Sequence, residues 1–449
     1  MLRGGAAVLA AAAVLASAAA APQPLRLHVL GDLLQARRDL RSGNRADLID
    51  SYELVLAMAE RSARAAKTWS VMAKNITIPG VSPHNYISIG IYNHPCNALP
   101  EGCKAYPGGH MLPPSECNTS SGLPWEPCDG IRNPQAIASG DSPAQSDMVN
   151  AVVTAALAAF YSSNDTALAK KHVEYGATVL RVWFVANATR MLPNLYYGQI
   201  TPKAELPHAS HGGFIEWAHT AMFLDHISLL RYVNSELSLG VWSADDDAAL
   251  TAWWREFQGY VESATAQGER RMTNNHGSWY DTDWLSIAQL NGDTAAAVKA
   301  AQEVRLKRVA YQLLPNGSEW IELERNVPSG YCQYNLKALT ESADLAAGLG
   351  AANDVWGFET ADGRSLRKSI DWLMAYATGS TPWPYKQPEA PDWQTMVVVL
   401  RRASRQFKNQ TYERAACMVA KNGGKAKYYG RSELTLQLPP AYVLGAGCE

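Results

Sequence analysis

Asn274-Asn275-His276-Gly277-Ser278-Trp279-Tyr280-Asp281-Thr282-Asp283-Trp284 puts two amides, an imidazole and three aromatic rings into eleven positions. After it, Trp284, Ile287, Ala288 and Leu290 recur at helical spacing, which places the polar cluster at the mouth of a helix rather than inside one. The run before it, Gln267-Gly268-Glu269-Arg270-Arg271, reads as a charged, solvent-facing segment. Adjacent Asn and His supply amide donors and an imidazole that donates or accepts, and neighbouring rings can stack on a sugar face. On its own the stretch fits equally well a polar helix entrance with buried tryptophans.

Outward from there the helical period keeps returning. Leu48, Tyr52, Val55, Met58 and Ala63 mark a helix within 46–71, with Asn44 as its expected cap. Met148, Val152, Leu157 and Phe160 mark another, and Leu168, Val173, Leu180 and Phe184 the next. Further helices are expected through 214–232, 246–265, 283–290, 293–314, 334–349, 365–377, 392–407 and 411–420. Only 320–324 resembles a strand, too little for a sheet. Amphipathic helices joined by short turns must bury their stripes against one another, which makes the chain all-α.

The exception is 76–135, a long stretch without a sustained period. Cys96, Cys103, Cys117 and Cys128 crowd into it, while Cys417 and Cys448 lie near the C-terminus. Two bridges in the loop region and one in the tail are expected, with Cys332 left over; three pairings are open to the loop set. These spacings do not fit a zinc site. Residues 1–21 read as a signal peptide, with an Ala/Val/Leu run and small residues before Pro22, which implies a secreted protein. Sequons at Asn75, Asn118, Asn164, Asn187, Asn316 and Asn409 fit a glycoprotein on that route. No later run is apolar enough to span a membrane. A formal charge of -2 with 18% charged residues lacks the basic surplus of a nucleic-acid binder.

A second cluster lies downstream: Glu322-Leu323-Glu324-Arg325, then Tyr331-Cys332-Gln333-Tyr334-Asn335-Leu336. Arg325 is a planar fork matched to a carboxylate, and Tyr331 and Tyr334 stand three apart at a helix start. Taken alone, Arg near Glu is ordinarily a surface pair and tyrosines ordinarily pack. Together the clusters hold what β-elimination from a uronic acid requires. Removing the weakly acidic C5 proton builds charge on the sugar carboxylate, which donors from Asn275, His276 and Arg325 would stabilise. A base takes that proton and an acid protonates the departing glycosidic oxygen. Tyr331 with a lowered pKa could do both when the groups lie on one side of the ring; with opposite stereochemistry His276 is the base and Tyr331 the acid. The chemistry needs no metal or other cofactor.

Asn-Asn-His-Gly-Ser-Trp followed by Glu-Arg and Tyr-x-x-Tyr-Asn-Leu resembles the alginate lyase superfamily of polysaccharide lyases. Upstream stretches match in order: Asn85 to Tyr92, Asp129-Gly130-Ile131-Arg132-Asn133-Pro134, and Tyr197-Gly198-Gln199 with Ile200-Thr201-Pro202. The match covers roughly 67–378. The resemblance implies an α/α toroid, an incomplete barrel of helical hairpins, formed as one domain over 22–449. It also implies eliminative cleavage of an acidic polysaccharide such as alginate or glucuronan. Asn275 and His276 match the family's Asn-His pair, Arg325 its carboxylate-neutralising arginine and Tyr331 its catalytic tyrosine. Tyr334 and Gln199 match substrate-side positions, and Tyr92, His211 and Trp279 are expected to join them in binding sugar. Three departures stand out. The Arg325–Tyr331 interval is one residue shorter than in the alginate-specific branch. Asn93-His94 replaces an aromatic pair, and His208 to His211 replaces an arginine before the glycines.

Two other readings compete. Glu216, Glu322 and Glu324 could serve a glycoside hydrolase on the same toroid, and a lectin-like module would bind polysaccharide without cleaving it. His208, His211, His219, Asp225 and His226 are read as packing or sugar contacts rather than metal ligands. Trp183, Trp253, Trp254 and Trp372 are read as core. The oligomeric state is left open.

Overall fold

A computed structural model describes residues 25–45, 48–107, 109–205 and 209–422. The expected signal peptide, 1–21, with His208 and Cys448, lies outside them. The helices run α1 Leu30–Ser42, α2 Ile49–Ala65, α3 Pro134–Ile137, α4 Ser142–Tyr161, α5 Thr166–Leu180, α6 Thr220–Glu236, α7 Ala244–Val261 and α8 Gln267–Arg270. They continue with α9 Asn275–Leu290, α10 Thr294–Glu303, α11 Ala310–Gln312, α12 Pro328–Ala346, α13 Leu366–Ala377, α14 Thr395–Phe407 and α15 Gln410–Asn422.

Neighbour relations sort these into two layers. α4 packs on α6, α6 on α9, α9 on α12 and α12 on α14. Behind them α5 backs α4, α7 and α10 back α9, α13 backs α12 and α14, and α15 backs α14. Sequence explains the layering: α9 is buried along almost its whole length and α4 from Ala151 to its end, as a helix with neighbours on all sides must be. α14 is more mixed: Arg401 and Arg402 are buried beside Glu413 and Asp344, and Arg405 pairs with Asp32 of α1. Local signals fix the ends. Ser243 and Asp246 form a capping box at α7, Asp165 caps α5, and Pro328 opens α12 where no N–H is needed. Trp183, Trp253 and Trp254 are core, at most 1% exposed, and each contributes about 2–3 kcal/mol of apolar transfer.

Several sequence expectations shift. α1 was hidden because one of its buried residues is Arg37, which stacks on Phe160 at 4.4 Å and pairs with Glu236 at 2.7 Å. α2 begins at Ile49 after Leu48, so Asn44 is not its cap; it follows the left-handed Gly43 that ends α1. The helix expected from Phe214 starts at Thr220, after a 3-10 turn over Gly212–Glu216. α9 begins at Asn275, so the opening cluster lies within the helix, its first turn being polar because it faces a cleft. The strand expected at 320–324 is a turn leading into a 3-10 helix, Glu322–Glu324.

Strands occur instead in the long loop region. β1 Ile87–Ile89 pairs in parallel with β4 Tyr197–Ile200, and β2 Asn93–Pro95 pairs antiparallel with β3 Trp125–Pro127. Disulfides Cys96–Cys117 and Cys103–Cys128 close this region, offsetting the entropy of ordering it. Cys332 is a buried free thiol. Cys417 is disulfide-bonded, and its expected partner Cys448 falls outside the described residues.

Candidate active site

The N-terminal ends of α9 and α12, the turn before α12 and the disulfide-bridged loops meet around a cleft of about 580 Å³. Asn275, His276, Arg325 and Tyr331 all line it, together with Tyr92, Gln199 and Tyr334.

Each of the four is held by a specific partner. Asn275 donates its backbone N–H to Glu322 at 2.6 Å and its side-chain amide to both Glu322 oxygens at 3.0 Å. The carboxylate thus satisfies a free N–H of the first α9 turn, where negative charge is favoured. Glu322 stands three residues before Arg325, so one 3-10 turn positions both groups. Burial pushes the Glu322 carboxyl up, against the amide bonds and the Arg325 charge. Arg325 is itself buried and gives Nε and Nη2 to Asp129, at 3.0 and 2.5 Å. The Nη1 side of its fork remains for a ligand.

Tyr331 donates to the Tyr92 hydroxyl at 2.9 Å, and the Arg325 guanidinium lies 3.6 Å from the Tyr331 ring centroid. Burial, helped by Tyr92, raises the Tyr331 phenol well above its ordinary value; Arg325 opposes this and loses. His276 gives Nδ1 to Glu269. Burial pulls this imidazole down, but Glu269 outweighs it and leaves the group above its ordinary value; Arg325 lowers it and Glu322 raises it. Gln199 sits at a left-handed backbone position, φ 52°, with its N–H on Ser88 Oγ at 2.8 Å. A non-glycine residue there costs about 1–2 kcal/mol, a strain that coincides with the cleft wall.

Two expected residues lie elsewhere. Trp279 does not line the cleft. Its ring is 0% exposed, packed 4.9 Å from the Tyr334 ring and under Lys337, because α9 is an inner helix whose face here meets α12. His211 lines an adjoining chamber of about 370 Å³, to which Gln199, His276 and Arg325 also contribute. The run Gln267–Arg271 is not uniformly solvated: Glu269 on α8 is fully buried.

Residues the sequence reading missed are the supports. Glu269, Asp129 and Glu322 each hold a cleft residue, and Tyr106 from the bridged loop lies 5.2 Å from the Arg325 guanidinium. Asp129 belonged to a quoted motif, and Glu322 stood beside Arg325, so both carried a signal; Glu269 carried none. The helical turn needs Gly277 because a Cβ there would stand 2.2 Å from the Met272 carbonyl and 2.5 Å from Arg308 Nη1. Arg308 in turn ties Asp281 to the carbonyls of Arg270 and Met272.

Of the hydrolase carboxylates, only Glu216 lines the main cleft, where its Oε2 takes two hydroxyls. Glu216 accepts from Tyr86 at 2.6 Å and Ser88 at 2.7 Å, Glu322 holds Asn275, and Glu324 is exposed outside the main cleft. Asp225 accepts backbone N–H groups of Arg26, Leu27 and His28, and His226 bonds the Met222 carbonyl.

Residues 70–383 match the family profile described as Alginate lyase. The chain belongs to the alginate lyase family. Its structure is similar to the crystal structure of an alginate lyase from Bacteroides ovatus, with 25% sequence identity and a TM-score of 0.75. That likeness covers 92% of this chain and 98% of the other. No curated protein matches the sequence. The lyase is therefore a polysaccharide lyase of a family acting on acidic polysaccharide, and its helical architecture is the family's. No helix among the described residues is long and apolar enough to cross a membrane.

Proposed function

We propose that this lyase cleaves a polyuronate by β-elimination, with Asn275, His276, Arg325 and Tyr331 as its working groups. The observation that carries this is the convergence of all four on one cleft, each fixed by its own buried or bridged partner. Asn275 and the open arm of Arg325 neutralise the sugar carboxylate as charge builds on it. His276, with Nδ1 on Glu269, presents Nε2 to the cleft and takes the C5 proton. The electron pair forms the C4–C5 double bond as the C4–O bond breaks. Tyr331 then protonates the departing oxygen and is reprotonated from solvent. Burial keeps the Tyr331 phenol protonated and so able to give a proton but not to take one, while His276 is backed on Nδ1 by a carboxylate as a base is. This favours opposite-side elimination over a single tyrosine in both roles.

The substrates proposed are alginate, glucuronan and related uronans. Residues 22–449 are proposed to form one domain, and the leader with the disulfides supports secretion. Incubation with a panel of uronans tests the reading. Ultraviolet-absorbing unsaturated ends support it; new reducing ends without that absorbance would indicate hydrolysis, and retention without cleavage a binding module.

A further inference from the structure

Glu269 is fully buried on α8, yet each of its oxygens meets an imidazole: Oε1 takes Nδ1 of His276, and Oε2 takes Nδ1 of His211 at 2.8 Å. The two histidine side chains stay 26% and 45% exposed, so their outer, Nε2-bearing edges are the parts open to a ligand. Both rings line the adjoining chamber, which shares Gln199, His276 and Arg325 with the main cleft. The chamber is built around this arrangement. A Cβ at Gly268 would stand 2.4 Å from His211 Cδ2 and 2.7 Å from Cγ, so only glycine lets the ring lie across α8. Glu269 is the one carboxylate among the residues lining the chamber, and both its oxygens are committed. Apart from Glu269, the two histidines and Arg325, the lining is uncharged.

We propose that Glu269 is a shared positioning residue, and that the His211 it anchors binds a hydroxyl of the next sugar along the chain. This rests on the polyuronate reading above and extends it from one sugar to two. A polymer crossing the main cleft must continue past it. His276 stands on the boundary between the two spaces, and His211 stands one chamber over. With Nδ1–H given to Glu269, the His211 ring presents Nε2 to the chamber as an acceptor for a sugar hydroxyl. Glu269 thereby serves both steps: through His276 it supports proton removal, and through His211 it supports binding.

The division of labour is read from kinetics on alginate and glucuronan, with oligosaccharides of increasing length from each. H211A and G268A are expected to raise KM for the polymer by about tenfold while altering kcat much less. E269Q is expected to depress kcat as well, and to move the acid limb of kcat/KM to lower pH because His276 loses the charge that raises it. The conservative variant E269D, one methylene shorter, should recover part of kcat. Unchanged KM in H211A overturns the second sugar site. The clamp is tested without any substrate by imidazole NMR of the full-length protein: in E269Q the His276 midpoint should fall and the His211 Nδ1–H signature should be lost. An unchanged His276 titration overturns the clamp. A wild-type protein that leaves every uronan uncut overturns the polyuronate reading, and with it the role given to His211, while the NMR result still decides the role of Glu269.

Discussion

The Arg325 guanidinium lies 3.6 Å from the centroid of the Tyr331 ring, so the cation assigned to the substrate carboxylate and the hydroxyl assigned to the leaving group are packed as one unit. Asp129 anchors that unit from the loop region, next in sequence to the Cys103–Cys128 bridge. The long, aperiodic loop thus reaches the chemistry through this ion pair and through Tyr92 and Tyr106.

Asp129 and Arg325 are 4% and 5% exposed, so removing one partner strands a buried charge. Asp129→Ala should destabilise the lyase by about 3–5 kcal/mol, read as a shift in urea unfolding, and should lower kcat/KM as Arg325 loses its orientation. Arg325→Lys should lose most activity despite keeping the charge, because an ammonium cannot bond Asp129 in two places and still face the cleft. Near-normal turnover in the lysine variant would contradict the role given to the guanidinium fork.

The pH profile follows from two directions. His276 must be neutral to accept the proton, and Glu269 holds it above the ordinary imidazole value of 6.5. Activity should therefore climb with pH to a midpoint above 6.5. Tyr331 must be protonated, and burial raises its phenol above 10.0, so the alkaline limb should lie above that ordinary value. The free-enzyme quantity to measure is kcat/KM. An acid limb well below the ordinary imidazole value would contradict His276 as base.

Trp279 separates packing from function. Its ring is buried between Tyr334, Lys337 and His219. Trp279→Ala should cost about 3–5 kcal/mol of stability, measured by chemical denaturation, whereas a residue that stacked on sugar would chiefly change KM.

The same contrast shows what the sequence disclosed and what it did not. Asn275, His276, Arg325 and Tyr331 were legible because each stands at or just before the start of a helix, where polar residues break the apolar period. Trp279 misled because α9 is enclosed on nearly all sides, so periodicity does not say which face meets the cleft. Glu269 was hidden among Gln267, Arg270 and Arg271; its burial comes from two histidines 58 and 7 positions away, not from its neighbours. β1, β2 and β3 span three residues each, too short for an alternation to register.

Cys332 follows Tyr331 on α12 and is fully buried, and burial raises its thiol well above the ordinary value. The thiolate is the reactive form, so a thiol reagent should label Cys332 only under denaturing conditions, without loss of activity in the native enzyme. Rapid labelling with inactivation would show that the α12 entrance opens.

The central claim is that Tyr331 moves a proton in an elimination, and its direct measurement is ultraviolet absorbance at unsaturated sugar ends, wild type against Tyr331→Phe, on alginate and glucuronan. The variant lacks only the hydroxyl that Tyr92 holds at 2.9 Å, so the fold and the carboxylate donors stay in place. The account predicts absorbance growing with the wild type, and a loss of about a thousandfold or more in kcat for the variant, which still retains the polymer. Turnover by Tyr331→Phe at the wild-type rate would contradict it.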